Sequence, residues 1–164
     1  MQNAQKAMKM KAPVCDICRN LHVICAVCER KLSQNIITET DFRASKIFTE
    51  LEKFEDLTLH RAFDIGSRIV LVVDRKEALA KFLPFLEMKF GKKVVIVNGE
   101  GRPGEILKEV LEQEPRTTEA FLPGGGKAKR IVISRGELKR KGIDEQALKY
   151  MLSDTIKEME VSIA

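Results

Sequence analysis

Four thiols dominate the chemistry this chain can offer. Cys15, Cys18, Cys25 and Cys28 form two CxxC pairs, CDIC and CAVC, with six residues between them. Each pair makes a tight turn that brings two sulfurs to one ion, and two such turns complete a tetrahedron. Zinc suits the cage, because it accepts tetrahedral sulfur ligands and does no redox chemistry. An iron–sulfur cluster is the alternative. A thioredoxin-type site needs one CxxC near a βαβ pattern, and a chain with no export signal keeps its thiols reduced. Four thiolates leave no open position for water, so the expectation is one structural Zn2+ and no catalytic metal. His22 lies between the pairs, but four sulfurs suffice without it. A segment this short cannot bury a core of its own, so residues 12–32 read as a knuckle folded by its metal. Ile17, Val23, Ile24, Val27 and Leu32 are expected to dock it onto the next element.

The other reactive side chains are cationic. Net charge is +5, with a pI near 9.0. Residues 1–31 hold six basic and two acidic side chains, net +4, as do residues 75–93; residues 121–141 hold seven and one, net +6. The segments 38–56, 98–119 and 142–164 each come to −3. Two readings stay open: one positive surface, or solvated faces that point apart. Under the first, Lys76, Lys81, Lys89, Lys92 and Lys93 line one face, and Lys127, Lys129, Arg130, Lys139, Arg140 and Lys141 another, to hold phosphates.

Two glycine motifs are weaker. Gly99-Glu-Gly-Arg-Pro-Gly104 matches GxGxxG between a strand and a helix. A dinucleotide fold needs a second parallel strand ending in an acid about 20 residues on. Glu119 has the spacing, but Glu114-Pro-Arg-Thr-Thr118 reads as no strand. The plainer reading is a turn with Pro103 near a helix start. Gly126-Lys127 resembles a P-loop ending, but Ala128 stands where a hydroxyl should bind magnesium. With no GxSxG, HExxH or paired carboxylates, no enzyme and no small-molecule substrate are expected.

The elements that must position these residues are short, and 164 residues exclude a barrel enzyme of usual size. No apolar run approaches a membrane span and the start, residues 1–11, is a basic tail with no apolar core, so a cytoplasmic protein is expected. Thr38 caps a helix that carries Phe42, Ala44, Ile47, Phe48, Leu51 and Phe54 at helical spacing. Leu57–Phe63 and Arg68–Val73 form a hairpin around Gly66. Residues 75–90 are helical in pattern, but Pro84 inside one helix costs about 3 kcal/mol. A break near 80–83 places it in a first turn and yields two short helices. Gly91 ends the second, and Lys93–Val97 is a buried strand. A helix over Glu105–Gln113 and a polar linker over 114–118 follow. Ala120–Leu122, Pro123-Gly-Gly-Gly126 and Lys129–Ser134 then form a second hairpin, and a last helix runs from the Asp144 cap to about Glu158.

The elements from Thr38 to Val97 run α, β, β, α, α, β, the order of a type II KH domain, an RNA-binding fold. The strings APVCDIC…CAVCERKL, IITETDFRASKIFTEL, LHRAFDIGSRIVLVV and FGKKVVIV resemble archaeal NusA-like KH proteins over roughly residues 12–112. The resemblance implies an α+β chain: a zinc knuckle at 12–32, a KH-like domain at 38–113, and a C-terminal β-hairpin plus helix at 119–164. It also implies RNA binding and a role in transcription elongation and termination; the partners expected for this chain are rRNA or a nascent transcript, on a ribosome or RNA polymerase, and no membrane. One departure stands out. The GxxG loop, whose glycines admit the phosphates of single-stranded RNA, falls near Glu77-Ala-Leu-Ala80, and residues 74–90 hold no glycine. Contacts are therefore expected from the knuckle and basic segments, to structured RNA in a large particle. The alternative is a protein adaptor on RNA polymerase.

Overall fold

The computed structural model describes residues 11–164 except 22, 53, 55, 122 and 156–159, and leaves aside the side chains of Ala120, Lys127, Ala128, Lys129 and Glu160. Most of the basic tail, His22, and the last turn expected to reach Glu158 thus lie outside the described residues. The chain is mixed α and β, with two three-stranded sheets. Among the described residues no helix is long and apolar enough to cross a membrane.

Two short helices, α1 (Asp16–Leu21) and α2 (Ala26–Ser33), carry the cysteine pairs. Next comes α3 (Glu39–Leu51). It starts where the sequence predicts: the Asp41 carboxylate accepts from the Thr38 N–H at 2.8 Å, and the Thr38 hydroxyl accepts from the Asp41 N–H at 3.4 Å. It stops sooner than the apolar stripe suggests, and Phe54 is exposed.

The hairpin is β1 (Leu59–Asp64) and β2 (Arg68–Val73), paired antiparallel. The two short helices are α4 (Lys76–Ala80) and α5 (Leu83–Phe90), with Pro84 in the first turn of α5 and Gly91 closing it at φ 69°. Strand β3 (Lys93–Asn98) then runs parallel to β2. Every residue of β2 is buried, which explains its unbroken aliphatic run. Ile69, Leu71 and Val73 face the core under α3, α4 and α5, with Val94 and Ile96 beside them. Val70 and Val72, with Val95 and Val97, face a second core on the sheet's other side. Fully burying a side chain of this size contributes about 1.5–3 kcal/mol.

The second core is shared with the rest of the chain. Helix α6 (Pro103–Leu111) supplies Ile106, Leu107, Val110 and Leu111. After it come β4 (Arg116–Phe121), β5 (Lys127–Ile133), α7 (Arg135–Lys141), α8 (Glu145–Thr155) and β6 (Glu160–Ile163). Strands β4 and β5 are antiparallel, and β6 is parallel to β5. Residues 103–163 therefore repeat the order and strand polarity of residues 39–98. Sequence reading finds a helix over Glu105–Gln113, a hairpin and one last helix there, but no repeat. The structure adds α7 and β6 and makes α6 the opening helix of the repeat. Helix α7 buries Leu138 alone, so it carries no apolar stripe to read. The stretch read as a linker is also corrected, because Arg116, Thr117 and Thr118 begin β4 opposite Val132, Ile131 and Arg130. β-Branched threonines fit an edge strand despite their polarity. Asp144 does cap α8, its carboxylate accepting from the Ala147 N–H at 2.8 Å.

Candidate metal centre and basic surfaces

The four sulfurs converge, all within 4.8 Å of one another, and none is in a disulfide. Cys15 precedes α1 and Cys18 lies in its first turn; Cys25 is the N-cap of α2 and Cys28 lies inside it. The Cys15 and Cys25 sulfurs are 3.8 Å apart. A tetrahedron with metal–sulfur bonds of about 2.3 Å has edges of about 3.8 Å. Backbone amides orient the set: the Cys25 N–H donates to the Cys18 sulfur at 3.1 Å, and the Cys28 N–H to the Cys25 sulfur at 3.4 Å. That amide and the neighbouring thiols bring Cys25 down to about 6. Burial pushes Cys18 up to about 12 and raises Cys28. Two buried thiols that resist losing protons in an apolar setting need a cation to become thiolates. The donor set and spacing can hold one metal ion with soft-ligand preference.

The knuckle docks differently from the expectation. Val14, Cys18, Cys28, Ile37 and Phe42 form its small core, and of the five residues expected to dock only Leu32 joins them. Ile17, Val23, Ile24 and Val27 point outward with Leu21, each 49–65% exposed. The cysteines take the inward positions of two very short helices, so the aliphatic residues between them fall on the other side. Buried Arg19 fastens α1, pairing with Asp16 and, at 2.9 Å, with Glu52 at the end of α3.

The basic side chains are spread around the two sheet units and mostly engaged. Lys76 pairs with Glu109 at 2.6 Å, Lys89 with Glu50 at 3.3 Å, and Lys92 with Asp64 at 2.8 Å. Lys93 pairs with Glu112. Lys76 and Lys93 flank a groove along the outer edge of β3, while the partners of Lys89 and Lys92 lie on α3 and β1. Lys81 lies over the Phe82 ring. Arg140 pairs with Glu137 at 3.4 Å, and the Lys141 ammonium donates to the Leu111 carbonyl. Lys139 is exposed, and Arg130 is half-buried in β5. Lys127 and Lys129 also belong to β5, with side chains outside the described ones.

The turns between paired helices differ in the two units. Between α4 and α5 the turn is Lys81-Phe82, without glycine. Between α7 and α8 it contains Gly142, but this turn is already engaged. The Ser67 N–H donates to the Gly142 carbonyl at 3.0 Å, and the Asp144 N–H to the Ile65 carbonyl at 2.7 Å. The Ser67 hydroxyl donates to the Lys141 carbonyl at 2.6 Å. Gly66, at φ 106°, has no room for a side chain, because a Cβ there would sit 2.6 Å from the Gly142 oxygen. The first two GxGxxG glycines serve packing too, while Gly104 has open space around it. A Cβ on Gly99 would meet the His60 ring at 3.0 Å, and one on Gly101 the Asn98 carbonyl at 3.0 Å.

Sequence reasoning missed one polar hub. The Asp41 carboxylate is fully buried and accepts from the Ala62 N–H at 2.8 Å and from the Arg61 guanidinium. Arg61 also donates to the Tyr150 hydroxyl and pairs with Asp154, both at 2.9 Å. Tyr150 in turn donates to the Asn35 carbonyl at 2.8 Å. One network thus joins the end of α2, α3, β1 and α8. Its only trace in the sequence is a charge in the row Leu59, Arg61, Phe63. A register shift between Leu59 and Arg61 turns the arginine toward α8.

No family model matches this chain, and no curated protein matches it. The metal centre and the surfaces around it therefore speak through their own chemistry.

Proposed function

We propose that the chain is a non-enzymatic adaptor on a nucleic-acid machine, a transcription complex or a ribosome, docking through its knuckle. The four cysteines hold one structural Zn2+, which supplies cross-linking and charge compensation but no open coordination position. The two αββααβ units act as type II KH-like scaffolds: the resemblance to NusA-like proteins implies that fold for residues 38–113, and the repeated element order extends the reading to residues 103–163. The carrying observation is where the chain spends its contacts. The sheet units meet their own cations with carboxylates and carbonyls, while the knuckle turns its aliphatic side chains to solvent. Neither helix–helix turn offers a glycine-lined entry for phosphates: one lacks glycine and the other is bonded to Ser67 and Ile65.

A second contact has its own support. Lys139 is exposed at the end of α7 beside Arg140, within the most basic stretch of the chain. Phosphates of structured rRNA or a nascent transcript fit there as an auxiliary, salt-sensitive contact. Titration of the full chain with a structured RNA over a range of salt separates the roles. The adaptor account expects weak binding, with a dissociation constant above about 10 μM at physiological salt. Replacing Lys127, Lys129 and Arg130 by Glu then changes it little. Nanomolar RNA binding lost in that variant would make RNA the primary partner.

A further inference from the structure

This inference rests on the adaptor reading and names the chemistry of its partner. Ile17 and Leu21 share one face of α1 at i, i+4 spacing, and Val27 opens a like face on α2. Arg30 and Lys31 follow Val27 by three and four residues and stand beside it. Neither has an ion-pair partner among the described residues, whereas Lys76, Lys89, Lys92 and Lys93 each face a carboxylate. Glu29, two residues from Val27, lies around the helix on another face. The knuckle thus exposes aliphatic side chains on both of its helices, and the cations beside Val27 meet no carboxylate among the described residues.

We propose that this face binds an acidic amphipathic helix of a partner protein. Its aliphatic side chains pack on Ile17, Leu21, Ile24 and Val27, and its carboxylates meet Arg30 and Lys31. Charge selects this occupant. A second copy of the chain would bring the same cations to a two-fold contact. Single-stranded nucleic acid stacks on aromatic rings, and the patch is purely aliphatic.

The test uses the full-length, zinc-loaded protein and three model helical peptides. All share a leucine stripe, and their polar faces are glutamate, lysine or serine. Vesicles of phosphatidylserine and phosphatidylcholine, and sedimentation of the protein alone, run in parallel. The glutamate peptide is expected to bind at least about tenfold tighter than the other two. Val27→Glu removes that binding while zinc content and melting temperature stay as in the wild type. Reversing the rim with Arg30→Glu and Lys31→Glu inverts the order, so that the lysine peptide binds best. Equal binding of all three peptides, or of none, overturns the proposal. So does a self-associated protein that Val27→Glu makes monomeric, or vesicle binding without peptide preference. Failure of the adaptor reading looks different: nanomolar RNA binding that knuckle variants leave intact and charge reversal at Lys139, Arg140 and Lys141 removes.

Discussion

The knuckle and the two sheet units are built in opposite senses. In the sheet units most aliphatic side chains lie inside, and Lys76, Lys89, Lys92 and Lys93 are matched by the chain's own carboxylates. In the knuckle the Cys18 and Cys28 sulfurs lie inside, five aliphatic side chains from Ile17 to Val27 lie outside, and Arg30 and Lys31 meet no carboxylate among the described residues. The reason is a difference in what supplies cohesion. A sheet unit is held by burial, so its greasy residues are committed. A loop clamped by a metal, as we propose for the knuckle, is held by coordination, so its greasy residues are available for contact.

The largest expected effect breaks the knuckle and spares the sheets. Structural zinc contributes on the order of 10–16 kcal/mol to folds of this kind. Chelation, or Cys18→Ser, should therefore erase the amide signals of residues 14–33 in a residue-resolved NMR spectrum, while those of β2 and β5 persist. Simultaneous loss of both sets would merge the two regions into one cooperative unit.

Next in size is the hub that ties them together. Asp41→Ala leaves the Arg61 guanidinium without its buried carboxylate, and breaking such a pair costs about 3–5 kcal/mol. Urea unfolding should report that loss, and Tyr150→Phe should cost less, about 1 kcal/mol. Gly66→Ala tests the contact between the sheet units. It forces a Cβ against the Gly142 carbonyl at a backbone angle that other residues resist, for about 1–3 kcal/mol. The smallest effects fall on the surface. Lys92→Ala should change stability by no more than about 1 kcal/mol, less at high salt. Val27→Glu should change it by about 0.5 kcal/mol or less, because the side chain touches solvent and not core.

Much of the first unit was legible because each local signal has one physical reading. Thr38 with Asp41 marks a helix start, Pro84 forces a break, and Gly91 accepts the left-handed turn. The cysteine spacing likewise announces the convergence of four sulfurs. The second unit hid because its signals compete. Thr117 and Thr118 look like loop composition and become a strand only through pairing with β5. Helix α7 is nearly all charge, and its place is set by Leu138 and by the turn that meets Ser67. The outward aliphatics of the knuckle were misread for a related reason. Apolar type argues for burial, yet in a segment of two short helices Cys18 and Cys28 occupy the inside.

The most direct measurement compares two variants of the full chain in sedimentation with the cell's RNA polymerase and ribosomes. Val27→Glu disables the aliphatic face, and the Lys127, Lys129 and Arg130 to Glu variant disables the basic strand. The account predicts that the first leaves the heavy fractions while the second stays in them. The opposite pattern, with the knuckle variant retained and the basic variant lost, would contradict it.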